Sequence, residues 1–491
     1  MAYRDLREWM EKVDKVGELK SVKGANPKYE IGAIVEENSR NFGPAIIFDE
    51  IKGYAAGFRV LTNSMSNIRN FNLTFGFPIE NSIRDTIKVL AGKMEKWNRE
   101  ADQFPPELVK SAPILENVKE GKDIDLNIFP VPFWHKLDGG PYIGTGDAII
   151  TTDPDTGEVN MGTYRIQLHD KNTVGFFISP GKHGRVHRDK YFARGKPCPV
   201  VMVFGLDPLI YAISSNEVEV DEFNLIGAIR QERMPIIKGK VTGLPIPAYA
   251  EIAIEGFSYP NELRSEGPFG EFTGYYGSGE REEPILRPSV LYYRNNPIIM
   301  GAPPGKGING EHIFFLKVIH SSLLWDYLNK AGIPNVMGVW FHPAVGGREL
   351  SIISIKQAFA GHATAAGHVA SQVRIGAYFG KYVFVVDDDI DPYDIDDVLW
   401  AVCSRSEPVE IDIIKQAWST PLDPRIRKPS DSYTNSRAII YGVKPFGWYN
   451  EFPPTVEVDP ELRKEVLSKW GGTFGDRWRS TQRQDFGGGW K

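Results

Sequence analysis

The sequence predicts an α+β chain of three successive domains closed by a terminal helix and tail, and three changes of texture along the chain predict it. The first hundred residues mix helical and strand patterns. The middle is dominated by short β-type segments between Gly, Pro, Asp and Asn turns, and the region after Gly310 alternates helix with strand. The resulting boundaries are 1–110 for an N-terminal α/β domain, 111–310 for a β-rich domain, 311–455 for a second α/β domain, and 456–491 for the helix and tail. With 42% hydrophobic and 12% aromatic residues in 491, the chain can bury cores of that number and size.

Taken in order, Tyr3–Val16 and Ile83–Trp97 carry helical patterns, and Ala45–Phe48 is a short apolar strand. The proline-rich stretch Gln103–Val118 reads as a linker into new structure. From Gly144 to about Arg294 the segments GDAIITT, EVNMGTYRIQL, TVGFFIS, PVVMVFGL, AEIAIEG and PSVLYY favour an antiparallel barrel or sandwich. Beyond them the pattern gives a helix from His312 to Ala331, strands at Asn335–Phe341 and Leu350–Ile355, a helix running to Tyr378, and the strand YVFVV. A helix over Pro460–Trp470 precedes GGTFGDRWRSTQRQDFGGGWK, a polar, glycine-rich tail or an arm onto a neighbouring subunit.

Composition excludes several classes. The 57 basic and 63 acidic residues give a net charge of -6, without the basic excess that binding to a phosphate backbone requires, so no nucleic acid is expected. No run reaches the length of a membrane span, and the opening MAYRDLREWMEKVDKVGEL is a charged amphipathic helix rather than a signal peptide. A cytoplasmic protein is expected, with no membrane partner. Two cysteines, Cys198 and Cys403, are too few for a disulfide framework or a multi-cysteine zinc site and read as core thiols.

The most informative string is Glu266-Gly-Pro-Phe-Gly-Glu271, where two carboxylates bracket a tight turn that Phe269 can anchor. In isolation it reads equally as a surface turn with solvated glutamates. A partner is Asn160-Met-Gly-Thr-Tyr-Arg165-Ile-Gln. A strict strand would put Asn160, Gly162 and Tyr164 on one face and Arg165 on the other. A break at Gly162 can bring Asn160 and Arg165 into one site. His183 and His187 share SPGKHGRVH, read as a glycine-flanked turn after an apolar strand, and either can be a metal ligand. Glu222 opens an apolar helix, where a carboxylate usually serves as a helix-start charge. Two further strings are discounted. GAPPGKGINGEH lacks the phosphate-loop spacing and the hydroxyl after lysine, and reads as a mobile or pocket-lining loop. Asp387-x-Asp389-x-Asp391 has Pro392 and Val398 where a calcium loop needs glycine and glutamate, and reads as a helix start after a strand.

Asn160, Arg165, His183, Glu222, Glu266 and Glu271 occur in the order and with roughly the spacings of the signature positions of UbiD-type decarboxylases, and Gly227 follows Glu222 as it does there. The resemblance extends through the DLREW opening, FPVPFWHKLDGGPYIGTGDAIITTDPDTG, SEGPFGEFTGYYG, IKQAFAGHA and VVDDDIDPYDIDDVLWAV, and is closest in texture to members acting on hydroxybenzoates. It implies a split β-barrel middle domain that binds prenylated FMN, with Asn160, His183 and Glu222 holding Mn²⁺ or a similar divalent ion, and K⁺ nearby. Tyr164, Arg165 and Lys182 are then expected against the cofactor; Lys182 stands where better-known members carry Gln, and its charge can pair with phosphate.

The implied reaction is reversible decarboxylation of an aromatic or heteroaromatic acid, in which Arg165 clamps the carboxylate, Glu266 holds Arg165, and Glu271 protonates the carbon that loses CO₂. A flavin prenyltransferase would supply the cofactor, and the third domain would assemble a homodimer or homohexamer. Two other readings are an ordinary FMN split-barrel oxidoreductase and a catalytically silent subunit of a multi-subunit carboxylase. No dinucleotide fingerprint follows a strand to support the former, and the intact acids argue against the latter.

Overall fold

The computed structural model describes residues 3–277, 279–307, 311–426 and 432–474. The chain forms two compact units, Met1–Ile79 with Lys93–Leu316 and Glu80–Gly92 with Lys317–Lys491.

In the first unit, the helix Leu6–Lys15 buries Leu6, Trp9, Met10 and Val13, the spacing of one helical face, and Asp5 caps it by accepting the Glu8 N–H at 3.0 Å. One of its sheets has four strands, in the order Leu19–Lys23, Ala45–Asp49, Arg59–Thr62 and Ile298–Gly301. The last comes from far along the chain and runs parallel to Arg59–Thr62.

The central domain is a curled ten-stranded sheet. Its main path runs Tyr142–Gly144, Ile166–Asp170, Thr173–Gly175, Arg281–Tyr293, Ile252–Ser258, Cys198–Phe204, Asp147–Thr152 and Val159–Gly162. The neighbours on this path are antiparallel, and Leu263–Glu266 and Asn117–Glu120 both pair with the long strand Arg281–Tyr293. Inward residues such as Ile149, Phe176, Val200, Met202, Ile254 and Leu291 make one buried core.

The segment expected to be a linker is structured. Glu107–Leu108 pairs with Pro235–Ile236, and Asn117–Glu120 with Val290–Tyr293, because extended chain beside an open sheet edge satisfies its backbone there. The helix expected over Ile83–Trp97 is two helices, Ile83–Leu90 and Lys93–Glu100, interrupted at Ala91-Gly92, where Gly92 adopts φ 76°.

The second unit holds a five-stranded sheet in the order Val336–Phe341, Leu350–Ile355, Tyr382–Asp387, Thr434–Gly442 and Asp412–Trp418. Its first three strands fall where strands were expected, but the helix expected to run to Tyr378 closes at Gln372, with a further turn over Arg374–Ala377. The strands Asp412–Trp418 and Thr434–Gly442 escaped the sequence reading. Asp412–Trp418 is an edge strand with an irregularity between Ile414 and Ala417, which destroys the alternation a pattern reading needs. As expected, the acidic run leads from a strand end into a helix, capped by Asp394. The final helix runs Pro460–Phe474. Residues 475–491 of the expected arm, and 308–310 of the glycine-rich loop, lie outside the described residues.

Cys198 is buried as expected, whereas Cys403 is exposed. The helix Ile395–Arg405 turns Val398, Ala401 and Arg405 inward, which leaves position 403 outside. Among the described residues no helix is long and apolar enough to cross a membrane.

Candidate active site

The strand carrying Asn160 ends at Gly162 and the next begins at Ile166, so the chain breaks where the sequence suggested. A Cβ at Gly162 would lie 2.4 Å from the Tyr164 hydroxyl oxygen, so only glycine lets Tyr164 fold back over the strand it has left. The break is satisfied locally: the Thr163 N–H donates to the Ser214 carbonyl at 2.9 Å, and its hydroxyl donates to the Asp147 carbonyl at 2.8 Å. Tyr164 and Arg165 are thereby placed at the meeting of two clusters.

The first cluster is built on Arg165. Its Nε donates to Glu266 Oε1 at 2.8 Å and its Nη2 to Glu266 Oε2 at 2.8 Å, a bidentate pair. Its Nη1 donates to Glu271 Oε1 at 2.6 Å. The guanidinium also lies over the Phe177 ring at 4.6 Å and the Phe269 ring at 5.5 Å. Glu266 is almost wholly buried, with a side chain 1% exposed, while that of Glu271 is 14% exposed, so Glu271 is the carboxyl open to a ligand.

Burial raises the Glu271 pKa, and the Arg165 charge opposes the rise without cancelling it. Burial by itself would lower the Arg165 pKa, but Glu266 and Glu271 outweigh it, and the net shift is upward. The turn between the two acids is anchored as expected: Phe269 is buried, with its ring centroid 4.0 Å from that of Tyr142.

The second cluster surrounds the Tyr164 ring. Gly184, the second residue of the helix His183–Ala193, is so close that a Cβ there would lie 3.0 Å from the ring. Asn160 stands beside the Tyr164 hydroxyl, and Glu222 is near enough for its charge to act on it. Burial, first of all, pushes the Tyr164 pKa up to about 12. Glu222 is the first residue of the helix Glu222–Arg230 and accepts the Met161 N–H at 3.1 Å, which ties it to the Asn160 strand. Its pKa is pushed up to about 7 by burial.

A cation fits this cluster: the Glu222 carboxyl is desolvated, so a positive charge beside it would favour its ionised form, and Asn160 carries an amide oxygen, a hard ligand atom, on the strand to which Glu222 is tied. Among the described residues no group of three or more His, Cys, Asp or Glu is arranged to hold a metal, so further ligands must come from an amide or from a bound molecule.

The two histidines separate clearly. The His187 ring is buried, with Nδ1 bonded to the Thr151 hydroxyl at 3.1 Å and Nε2 3.9 Å from Asp153. His183 is exposed at the start of the helix, not within a turn as expected. Lys182 donates to Glu217 at 2.8 Å on the surface, so its charge already has a partner.

Sequence reasoning missed several neighbours of this site. Tyr142 donates its hydroxyl to Glu266 Oε1 at 3.1 Å. Arg281 lies over Phe177 at 3.9 Å, with Nη2 4.0 Å from Glu266 Oε2. Tyr276 donates to Asp138 Oδ1 at 3.1 Å, and Gly139 donates its N–H to the Pro268 carbonyl at 2.7 Å, which ties the Glu266–Glu271 loop to the segment before Tyr142. A hairpin reading across the EGPFGE turn would have found Arg281, because Glu266 pairs with it in the register of the two strands.

Models of the 3-octaprenyl-4-hydroxybenzoate carboxy-lyase N-terminal, Rift-related and C-terminal domains match residues 10–90, 107–307 and 313–442. The phenolic acid decarboxylase of Sedimentibacter hydroxybenzoicus is 33% identical over 463 residues, 90% of this chain and 92% of that protein. The chain belongs to the UbiD family. As a UbiD-family protein it is a carboxy-lyase, and another relative, the phenolic acid decarboxylase of Bacillus subtilis, is 32% identical over 86% of this chain and 89% of that one.

The UbiD-class enzyme HmfF of Pelotomaculum thermopropionicum, solved with FMN, superposes with TM-score 0.83 at 27% identity, covering 95% of this chain and all of that one. The vanillic acid decarboxylase of S. hydroxybenzoicus in open form superposes with TM-score 0.80 at 30% identity, covering 97% of this chain and 100% of that one.

Proposed function

We propose that this chain is a reversible decarboxylase of aromatic acids of the hydroxybenzoate kind, working with prenylated FMN and a divalent metal such as Mn²⁺. The observation that carries the reading is the Arg165 fork, held bidentate by buried Glu266 and touching Glu271, a carboxyl whose pKa burial raises. Relatives named phenolic acid decarboxylase, and structural neighbours solved with FMN and prenylated FMN, support it.

Loss of CO₂ from an aromatic ring would leave an in-plane carbanion with no conjugation, so the carbon bearing the carboxylate must first become tetrahedral. When bound, the prenylated flavin supplies the electrophilic centre that makes this possible and holds the electron pair that CO₂ leaves behind.

The protein's own residues do the rest. Arg165 binds and orients the carboxylate, Glu266 keeps the guanidinium in plane and offsets its charge, and Glu271 gives its proton to the carbon that lost CO₂. In the direction of carboxylation, Glu271 takes that proton back. Asn160, His183 and Glu222 would hold the metal, and Tyr164 would wall the cofactor site; Lys182 joins it only by leaving Glu217. We further propose a homodimer or homohexamer assembled through the C-terminal domain.

The test is co-expression with a flavin prenyltransferase, anaerobic purification, and a screen of vanillate, 3,4-dihydroxybenzoate and 4-hydroxybenzoate for CO₂ release. NADH-dependent flavin reduction with no CO₂ from any acid would favour the ordinary flavin oxidoreductase instead. A second reading comes from the vanillic acid decarboxylase, which was solved with a further polypeptide, ShVdcD. CO₂ release only after a second polypeptide is added would support a multi-subunit enzyme.

A further inference from the structure

We infer that Tyr142 is a positioning residue for the decarboxylation, acting on Arg165 through Glu266. The inference rests on the function proposed above. Tyr142 and Glu266 are both closed to solvent, at 0% and 1% exposure. The Tyr142 hydroxyl donates to Glu266 Oε1 at 3.1 Å, the same oxygen that accepts Arg165 Nε at 2.8 Å. The other oxygen, Oε2, accepts Arg165 Nη2. The plane of the guanidinium therefore follows the plane of the carboxylate, and the Tyr142 hydroxyl restrains that plane from behind.

The same side chain reaches the middle of the loop. Its ring centroid is 4.0 Å from that of Phe269, midway between the two glutamates. Gln167 Oε1 closes the arrangement by accepting the Gly267 N–H at 3.1 Å and lying 3.4 Å from the Tyr142 hydroxyl. One buried phenol thus holds Glu266 by its hydroxyl and the Glu266–Glu271 turn by its ring.

Tyr142→Phe separates the two contacts, since it keeps the ring and removes only the hydroxyl. Without that hydroxyl Glu266 Oε1 keeps Arg165 Nε but loses its second donor, so the carboxylate is less restrained and Arg165 with it. The charge that attracts the substrate carboxylate is unchanged, whereas the alignment needed for reaction is not. In holoenzyme turning over vanillate, or whichever of the three screened acids releases CO₂ fastest, kcat should fall roughly tenfold. KM should change far less, and flavin content and Tm should stay near wild type.

A double-mutant cycle supplies the readout that a purely structural role would not move. If Tyr142 acts through Glu266, Tyr142→Phe should cost almost nothing further once Glu266→Gln is present. A tenfold loss that persists in the Glu266→Gln background would overturn the inference, as would wild-type kcat in Tyr142→Phe alone. Arg165→Lys, assayed alongside, tells the two levels apart. Full turnover in that variant would refute the clamp and the proposed function with it. An inactive Arg165→Lys beside a fully active Tyr142→Phe would refute only the role of Tyr142.

Discussion

Replacing Glu271 by Gln isolates proton delivery from binding, because the structure gives Arg165 a second and stronger hold. Arg165 keeps both 2.8 Å bonds to Glu266 in the variant, and the amide oxygen of Gln can still accept from Nη1. The guanidinium therefore stays in place, and flavin, metal and substrate should bind as in the wild type. What disappears is the transferable proton of a carboxyl whose pKa burial raises, a shift in the direction that an acid's role requires.

General acid catalysis is worth ~10²–10⁴-fold, or about 2.7–5.4 kcal/mol in the activation barrier at 1.36 kcal/mol per tenfold change. The loss should appear in kcat with KM nearly unchanged. The assay is steady-state CO₂ release, paired with exchange of the ring hydrogen of the product arene against deuterated solvent, which uses the proton step without CO₂. Wild-type exchange in the Gln variant would show that Glu271 is not the donor.

Three further outcomes follow from the site geometry. Arg281 opposes the burial that raises the Glu271 pKa, so Arg281→Gln should raise that pKa further and keep Glu271 protonated to higher pH. The alkaline limb of kcat/KM should therefore move up in pH, and a downward move in the measured profile would refute the assignment of that limb to Glu271. His183→Ala should strip manganese, measured by elemental analysis of purified protein, with the circular dichroism unchanged. His187→Ala should keep the metal and lower Tm, because it removes the buried bond to Thr151. In Gly139→Ala the new Cβ would meet the Gly267 carbonyl oxygen at 2.0 Å, backbone against backbone, so the Glu266–Glu271 loop must shift. The expected cost is about 1–3 kcal/mol in stability with a clear loss of kcat, checked by thermal unfolding and turnover.

Much of the molecule was legible in the sequence because the signals were local. The helix Leu6–Lys15, the strands Asp147–Thr152 and Leu350–Ile355, and the break after Gly162 each depend on residues within a few positions of one another. The candidate site residues were legible for a different reason: their types and order match a family pattern, and all six signature positions lie in the central domain. The count of two cysteines alone set aside multi-cysteine metal sites.

What only the tertiary structure decided was which of these residues meet. Arg165 and Glu266 are 101 positions apart, and Tyr142 and Glu266 are 124 apart, so no local pattern links them. Burial also separates His183 from His187, since Thr151 and Asp153 occupy the ring of one while the other is exposed. Cys403 and the strand Asp412–Trp418 were misread or missed for the same reason. Which side of a helix faces a core, and which strand lies at a sheet edge, are properties of the packed chain. The residue types limit what chemistry is available, and the fold decides which groups share a desolvated space in which a carboxyl's pKa rises.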